Sequence, residues 1–283
     1  PDVLVLIDYP GFNLRMASWA KKQGLKVAYY ISPQVWAWKE SRVATIKRSV
    51  DKMLVILPFE QAFYKKHHFE TVFTGHPLTE VIAEELQKPS IATTEKPVIA
   101  LLPGSRSQEI KTKLPLMLTA VKHFPEYQFV IAQAPGQDAT IYQPFIGEKD
   151  VQLIKSGTYD LLRKAKAALV TSGTATLETA LFGVPQVVCY KGNYLSYLLA
   201  KQLIKVKYIS LVNLVLDQAC VQELIQNDLN EHKIKKALED ILNNPETQDR
   251  IQHQYTKLWE LLGNRKAAAT ASKEIVALAA SSL

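Results

Sequence analysis

The chain has 283 residues, enough for two domains, and 47% of them are apolar, which excludes a disordered or fibrous protein. Its two cysteines, Cys189 and Cys220, each lie in an apolar run, which favours buried thiols in a reducing compartment over a disulfide or a metal pair. Because no apolar run has the length of a membrane span, we expect a cytoplasmic protein.

The formal net charge is +7 at neutral pH, so an anionic partner is expected. No helix-turn-helix, zinc-finger or RNA-binding signature accompanies this charge, and we therefore expect no nucleic acid. An anionic membrane surface and phosphorylated substrates both fit the charge, which by itself does not choose between them.

In the first part of the chain, runs of β-branched residues and leucine alternate with amphipathic segments. The pattern predicts helices at residues 13–23, 42–49 and 60–67, and strands at residues 3–7, 26–31, 53–57 and 71–74. Such alternation indicates a parallel sheet covered on both faces. Because an interior parallel strand needs neighbours on both sides, the strand at residues 3–7 predicts further residues upstream of Pro1.

A polar stretch at residues 86–97 is typical of a linker, and a second α/β series follows it. Its strands are predicted at residues 98–102, 129–132, 151–154, 167–170 and 186–189, and only helices are predicted after Ala219. The domains are then residues 1–85 and 98–245, with helices at 246–283 packing back towards the first domain. The predicted fold is α/β, with two Rossmann-like doubly wound domains facing a cleft.

Three features of the first domain follow predicted strands and are candidates for a site. Asp8 ends the first strand, where a carboxylate could act as general base, although the residues alone favour a turn or a helix N-cap. Trp36 and Trp38 lie two residues apart in a predicted extended loop, where both would point to one side and line a sugar or lipid pocket; burial in the core is the alternative. His76 is a cleft candidate by position.

Two loops of the second domain have the composition of phosphate-binding loops. Gly104, Ser105 and Arg106 follow one strand and offer close backbone approach, a hydroxyl and a cationic fork. The second loop follows the strand at 167–170 and opens a helix, whose first N–H groups suit a phosphate and whose Glu178 could bind ribose hydroxyls; its residues are Ser172, Gly173, Thr174, Ala175 and Thr176. The alternatives are an Arg106–Glu109 surface pair and ordinary helix capping.

Two further observations bear on ligands and partners. No Asp-x-Asp pair and no cluster of cysteine, histidine and carboxylate residues occurs, so we expect no metal ion. Residues 195–206 are amphipathic, which favours packing onto the sheet over contact with a membrane.

A series of short strings in chain order resembles the lipid-A-disaccharide synthases, glycosyltransferases of the GT-B type. The series includes Ile-Asp-Tyr-Pro-Gly-Phe-Asn, Ser-Pro-Gln-Val-Trp-Ala-Trp, Gly-His-Pro-Leu, Leu-Pro-Gly-Ser-Arg and Thr-Ser-Gly-Thr-Ala-Thr-Leu-Glu, and its members lie at residues 7–13, 32–38, 57–60, 75–78, 102–106, 171–178, 210–213 and 223–226. Each string is weakly specific by itself, whereas the ordered set is highly specific and spans nearly the whole chain.

The resemblance implies transfer of diacylglucosamine from its UDP derivative to diacylglucosamine 1-phosphate. The product is the β-1,6-linked lipid A disaccharide, formed with inversion and without a metal or cofactor, at the inner membrane surface. Asp8 then corresponds to the essential carboxylate, Arg106 to the diphosphate arginine and Glu178 to the ribose ligand. Asn213 and Glu223 are expected at the donor site, with Trp36, Trp38 and His76 on the acceptor or lipid side.

The sequence also departs from the family. Gly11 stands where relatives usually have Asp, and residues 217–219 (Asp-Gln-Ala) replace a Gly-Arg-Glu run. The Gly-rich acceptor loop that opens these enzymes is not found, so we expect this chain to be inactive and to self-associate through residues 1–7. The alternatives are another UDP-sugar enzyme of this fold, either an epimerase or a transferase with a soluble acceptor, and a non-catalytic UDP-binding module.

Overall fold

The structure, a computed structural model, describes residues 1–89, 95–193, 207–263 and 266–281, with only the backbone of Trp38. The amphipathic stretch predicted at residues 195–206 lies outside the described residues. The chain forms two compact units. Unit 1 contains the described residues of Pro1–Val81 and Trp259–Leu283, and unit 2 contains those of Ile82–Leu199 and Lys207–Leu258.

Unit 1 is built on a parallel sheet of four strands in the order β1-β2-β3-β4. The strands are β1 (Val3–Ile7), β2 (Lys26–Tyr30), β3 (Lys52–Val55) and β4 (Val72–Phe73). The helices that follow them are α1 (Pro10–Lys22), α2 (Val35–Trp38), α3 (Val43–Ser49), α4 (Pro58–Lys66) and α5 (Pro77–Leu86). The alternation predicted for this part is therefore confirmed. α1 begins earlier than predicted because Pro10 is well suited to the first turn of a helix.

The segment around the paired tryptophans is helical, so the prediction of an extended loop is wrong. The N–H of Lys39 donates to the carbonyl of Val35 at 3.2 Å and closes one helical turn. Residues two apart do not share a face of a helix, so the argument that placed Trp36 and Trp38 on one side no longer holds.

Unit 2 is built on a parallel sheet of six strands in the order β10-β9-β8-β5-β6-β7. The strands are β5 (Val98–Leu102), β6 (Gln128–Gln133), β7 (Val151–Lys155), β8 (Ala165–Thr171), β9 (Gln186–Tyr190) and β10 (Gln222–Ile225). The helices are α6 (Ser107–Met117), α7 (Gln143–Ile146), α8 (Thr158–Lys164), α9 (Thr174–Leu181), α10 (Leu211–Leu216), α11 (Glu231–Asn243) and α12 (Pro245–Leu262), and α13 (Ala267–Ala280) follows in unit 1.

The prediction that only helices follow Ala219 is wrong, because β10 pairs in parallel with β9. Its Leu224 is buried while Gln222 is exposed. The strand has four residues, and such a short edge strand depends on its neighbour for its hydrogen bonds.

The strand order places the two predicted loops side by side. β5 pairs with β8 up to Leu102 and Val170, so their carboxyl ends meet. From β5 the chain builds β6 and β7 on one side, then crosses to build β8, β9 and β10 on the other. Such a reversal of strand order opens a crevice outside the carboxyl ends of the strands, where ligands bind in sheets of this kind.

In the described ranges, no helix is long and apolar enough to cross a bilayer. Within the same ranges, no group of three or more His, Cys, Asp or Glu residues is arranged to hold a metal ion.

Candidate functional site

A cavity of 410 Å³ lies over the carboxyl ends of β5 and β8, and we call it the β5–β8 cavity. It brings together most of the residues predicted for a nucleotide site. Those that line it are Gly104, Ser105, Arg106, Ser172, Gly173, Thr174, Ala175 and Glu178, together with Glu109, Thr158, Thr171 and residues of the loop after β6. Thr176, Asn213 and Glu223 are outside this lining.

The loop after β5 is held in a tight conformation by Glu109. The N–H of Ser105 donates to Glu109 Oε2 at 3.1 Å, and Arg106 Nη1 donates to Glu109 Oε1 at 3.0 Å. Gly104 has φ +130°, and a Cβ there would lie 2.5 Å from Glu109 Oε2, so only glycine fits. The Arg106–Glu109 pair that the sequence left as an alternative is therefore present, and the Arg106 side chain is 79% exposed.

The loop after β8 turns sharply into α9. Gly173 has φ +144° and caps the helix, and Thr176 donates through both its N–H and its hydroxyl to the Gly173 carbonyl, at 3.1 and 2.8 Å. These bonds place Thr176 inside the turn, where it is fully buried. Thr174 and Ala175 lie in the first turn of α9, where backbone N–H groups have no intrahelical acceptor. The turn therefore offers donors and a positive helix end to the β5–β8 cavity.

Glu178 lies one turn further along α9 and accepts a hydrogen bond from the Tyr159 hydroxyl at 3.0 Å. Burial raises the pKa of Glu178, with the Tyr159 bond acting in the opposite direction. Its Oε2 has no hydrogen-bond donor within the described ranges. The carboxylate can therefore accept further hydrogen bonds from a ligand in the cavity.

Asn213 and Glu223 hold the segment beside the β8 turn. Asn213 Oδ1 accepts from the N–H groups of Cys220 and Val221, both at 2.9 Å, and Asn213 Nδ2 donates to Glu223 Oε1 at 2.9 Å. Glu223 also accepts from the N–H groups that precede α10. The carbonyl of Ile209 in turn accepts from the Ser172 hydroxyl at 2.8 Å. Asn213 and Glu223 thus fix the backbone segment to which Ser172 of the β8 turn is hydrogen-bonded.

In unit 1, Asp8 lies in a strained turn between β1 and α1. Asp8 and Tyr9 have φ of 48° and 45°, in the left-handed region that favours glycine. The Asp8 carbonyl accepts from Asn13 Nδ2 at 2.8 Å and from the Tyr29 hydroxyl at 2.6 Å. These two bonds hold the turn and leave the Asp8 side chain exposed. Such strain is common at functional sites.

The acceptor-side candidates of unit 1, Trp36 and His76, make different contacts. Trp36 Nε1 donates to the buried carboxylate of Glu60 at 3.2 Å, and its ring packs edge-on against Phe59. His76 is 5% exposed, and burial lowers its pKa to about 4, so its ring is neutral. His76 Nδ1 accepts from the Leu78 N–H at 3.2 Å at the start of α5. The side chain of Trp38 lies outside the described part of the structure.

Several residues of the site were not predicted from the sequence. Glu109 lines the cavity and bonds to its neighbours Ser105 and Arg106, whereas Lys113 and Tyr159 bond to the lining residues Thr171 and Glu178 through tertiary contacts. The spacing of Glu109 and Lys113 by four residues on one helix was a usable signal, because such residues share a helix face. Tyr159 follows a different strand, β7, and the sequence carries no local sign of its contact with Glu178.

Comparison with known proteins gives consistent matches along the chain. A family model described as lipid-A-disaccharide synthetase matches residues 1–279. The lipid-A-disaccharide synthase of Syntrophus aciditrophicus is 43% identical over 96% of this chain and 74% of its own length. That of Trichlorobacter lovleyi is 39% identical over 93% and 72%. A UDP-GlcNAc 2-epimerase from Neisseria meningitidis, solved bound to UDP-GlcNAc, has a TM-score of 0.63 at 14% identity, over 93% of this chain and 76% of that one. At that identity it shows the fold alone.

Glu60 gives a pH dependence of stability that can be measured. Burial raises the pKa of Glu60 to about 7, whereas an unfolded glutamate has a pKa of about 4.3. As pH rises between these values, the unfolded chain loses the proton and the folded chain keeps it, so the folded state loses stability, and the loss persists above pH ~7.

Glu60→Gln cannot ionise and removes this loss. The difference in free energy of unfolding between variant and parent is expected to grow in favour of the variant by on the order of 1–3 kcal/mol from pH ~4.5 to pH ~8. Urea titration at both pH values measures the gain, with the exposed Glu70→Gln as control. Equal pH dependence in the two variants would contradict the assignment.

Proposed function

The chain belongs to the lipid-A-disaccharide synthetase family, and we propose how its residues perform the transfer that makes the lipid A disaccharide. It is a glycosyltransferase of the GT-B fold, with a UDP-sugar donor and a lipid acceptor. An epimerase or a non-catalytic module is not favoured, because synthases are 37–43% identical over 86–97% of the chain, whereas the structurally similar epimerases are only 12–14% identical.

The β5–β8 cavity is the donor site in this proposal. The observation that carries it is the convergence of Arg106, the start of α9 and the Glu178 carboxylate on one cavity. The diphosphate takes the N–H groups of Thr174 and Ala175 and the Arg106 guanidinium, which match it in charge and geometry. The ribose hydroxyls donate to Glu178, and these bonds favour its charged form.

We predict that Glu178→Ala weakens UDP binding by about 10- to 100-fold, because it removes hydrogen bonds to a charged acceptor. Isothermal titration calorimetry with UDP measures the change. Glu148→Ala, which removes an exposed carboxylate from the same unit, is the matched control and should bind as the parent does. Unchanged UDP affinity in Glu178→Ala would remove the residue from the donor site.

Asp8 is the general base in this proposal. Its backbone is fixed by Asn13 and Tyr29 while its carboxylate stays exposed, so the base is held in place before substrate arrives. It accepts the proton of the acceptor hydroxyl as that oxygen attacks the anomeric carbon and UDP leaves. The attack inverts the anomeric configuration, and the leaving charge is stabilised by Arg106 and the α9 N-terminus rather than by a metal.

We predict that, in a form of the protein that turns over, Asp8→Asn lowers kcat for disaccharide formation by about 10²- to 10⁴-fold, the range for loss of a general base. UDP affinity should stay unchanged, because Asp8 belongs to unit 1 and the donor cavity to unit 2. The assay uses the two lipid substrates in detergent, with the exposed Asp2→Asn as control. Full turnover by Asp8→Asn would return the residue to a structural role in its turn.

An anionic membrane surface is the proposed partner of unit 1. α1 exposes 50% of Phe12 and 52% of Trp19. A groove of 630 Å³ is lined by Trp19 and the cations Arg15, Lys22 and Arg42, and by no acidic residue of the described part. Exposed aromatic rings suit the interfacial layer of a bilayer, and each nearby cation contributes about 1 kcal/mol on anionic lipid. This placement brings the enzyme to its lipid substrates.

We predict that Arg15→Ala with Arg42→Ala lowers binding to vesicles containing anionic phosphatidylglycerol by roughly 10- to 30-fold, at about 1 kcal/mol for each cation removed. Co-flotation with vesicles measures the binding, and vesicles of phosphatidylcholine alone give the neutral reference. Lys111→Ala with Lys149→Ala changes the net charge equally on exposed positions of unit 2. Equal losses in both double variants would show that net charge, not this groove, drives binding.

A further inference from the structure

Glu109 occupies two donors of the β5 loop, and one of them, the Arg106 guanidinium, is also the proposed partner of the diphosphate. Its two carboxylate oxygens accept from the Ser105 N–H and from Arg106 Nη1, at 3.1 and 3.0 Å. The same carboxylate lines the β5–β8 cavity and lies against Gly104. A carboxylate and a phosphate compete for such donors, and two anions close together repel each other. Glu109 therefore opposes a diphosphate on Arg106 unless its carboxylate moves away or is neutralised.

Lys113 lies one helical turn beyond Glu109 on α6, on the same helix face. It is 3% exposed, and its ammonium donates to the Thr171 hydroxyl at the end of β8. Within the described ranges, no carboxylate lies within 4.0 Å of it. Burial lowers the pKa of Lys113, and the charge of Glu109 acts in the opposite direction. A buried ammonium without a carboxylate partner is costly, so Lys113 is ready to take one.

We propose that Lys113 is a positioning residue of the donor site, which receives the Glu109 carboxylate when a nucleoside diphosphate displaces it from Ser105 and Arg106. Glu109 then exchanges one cationic partner for another instead of remaining beside the diphosphate. This exchange lowers two free-energy costs at once. The repulsion between the carboxylate and the diphosphate is relieved, and the buried ammonium of Lys113 gains a partner. The inference rests on the proposed placement of the diphosphate in the β5–β8 cavity.

The test is a double-mutant cycle of Glu109→Gln and Lys113→Met, with UDP and uridine as ligands in calorimetry on the full chain. Lys113→Met should weaken UDP binding about tenfold and leave uridine binding unchanged, because uridine has no diphosphate to displace Glu109. Glu109→Gln should then improve UDP binding by a larger factor in the Lys113→Met background than in the parent, by about threefold or more. The exposed Lys111→Met on the same helix should bind both ligands as the parent does.

Three outcomes would overturn the inference. Equal factors for Glu109→Gln in the two backgrounds would show that the residues are not coupled through UDP. Equal weakening of UDP and uridine binding by Lys113→Met would indicate a packing defect. Lys113→Arg, which keeps the charge, is expected to retain more UDP affinity than Lys113→Met if the inference holds. If the parent binds UDP no better than uridine, the donor site itself is wrong and the inference fails with it.

Discussion

The pairing of β5 with β8 at the centre of the second sheet is the constraint on which the proposed donor site depends. Parallel register brings Leu102 and Val170 to the same edge, so two loops far apart in sequence open side by side. One loop contributes a guanidinium and a glycine that permits close packing, and the other contributes a helix N-terminus and a carboxylate. The second loop thus offers N–H groups for a phosphate and a carboxylate for the ribose, and the first loop adds the guanidinium that matches the charge of a diphosphate.

Polar side chains that do not face the cavity hold the ligand-facing residues at this edge in place. Glu223 and Asn213 secure the backbone next to Ser172, and Tyr159 orients Glu178. Lys113 buries its ammonium close to the site, and a buried charge costs free energy unless a partner compensates it. A site prepared in this way needs little rearrangement of its backbone when an anionic ligand arrives, which is the usual basis of electrostatic preorganisation.

Local sequence signals predicted most of the strands and both loops of the β5–β8 cavity, and tertiary contacts account for much of what was missed. β1 and β5 are found at their predicted residues because runs of β-branched residues and leucine suffice to specify a parallel strand, although all of β5 is buried and only Leu6 of β1 is. β10 was missed because its strand state depends on pairing with β9. The left-handed turn at Asp8 and Tyr9 carries no glycine signal and is held by Asn13 and Tyr29. Glu109 and Lys113 were missed as a pair because their roles follow from the loop and from Thr171.

A structure of the chain determined with bound UDP is the decisive measurement for the proposed donor site. The diphosphate is expected within hydrogen-bond distance, ~3 Å, of Arg106 and the first N–H groups of α9, with both ribose hydroxyls on Glu178. UDP bound away from the β5–β8 cavity, or in it with the ribose turned from Glu178 and the diphosphate away from α9, would show that the donor site is placed wrongly.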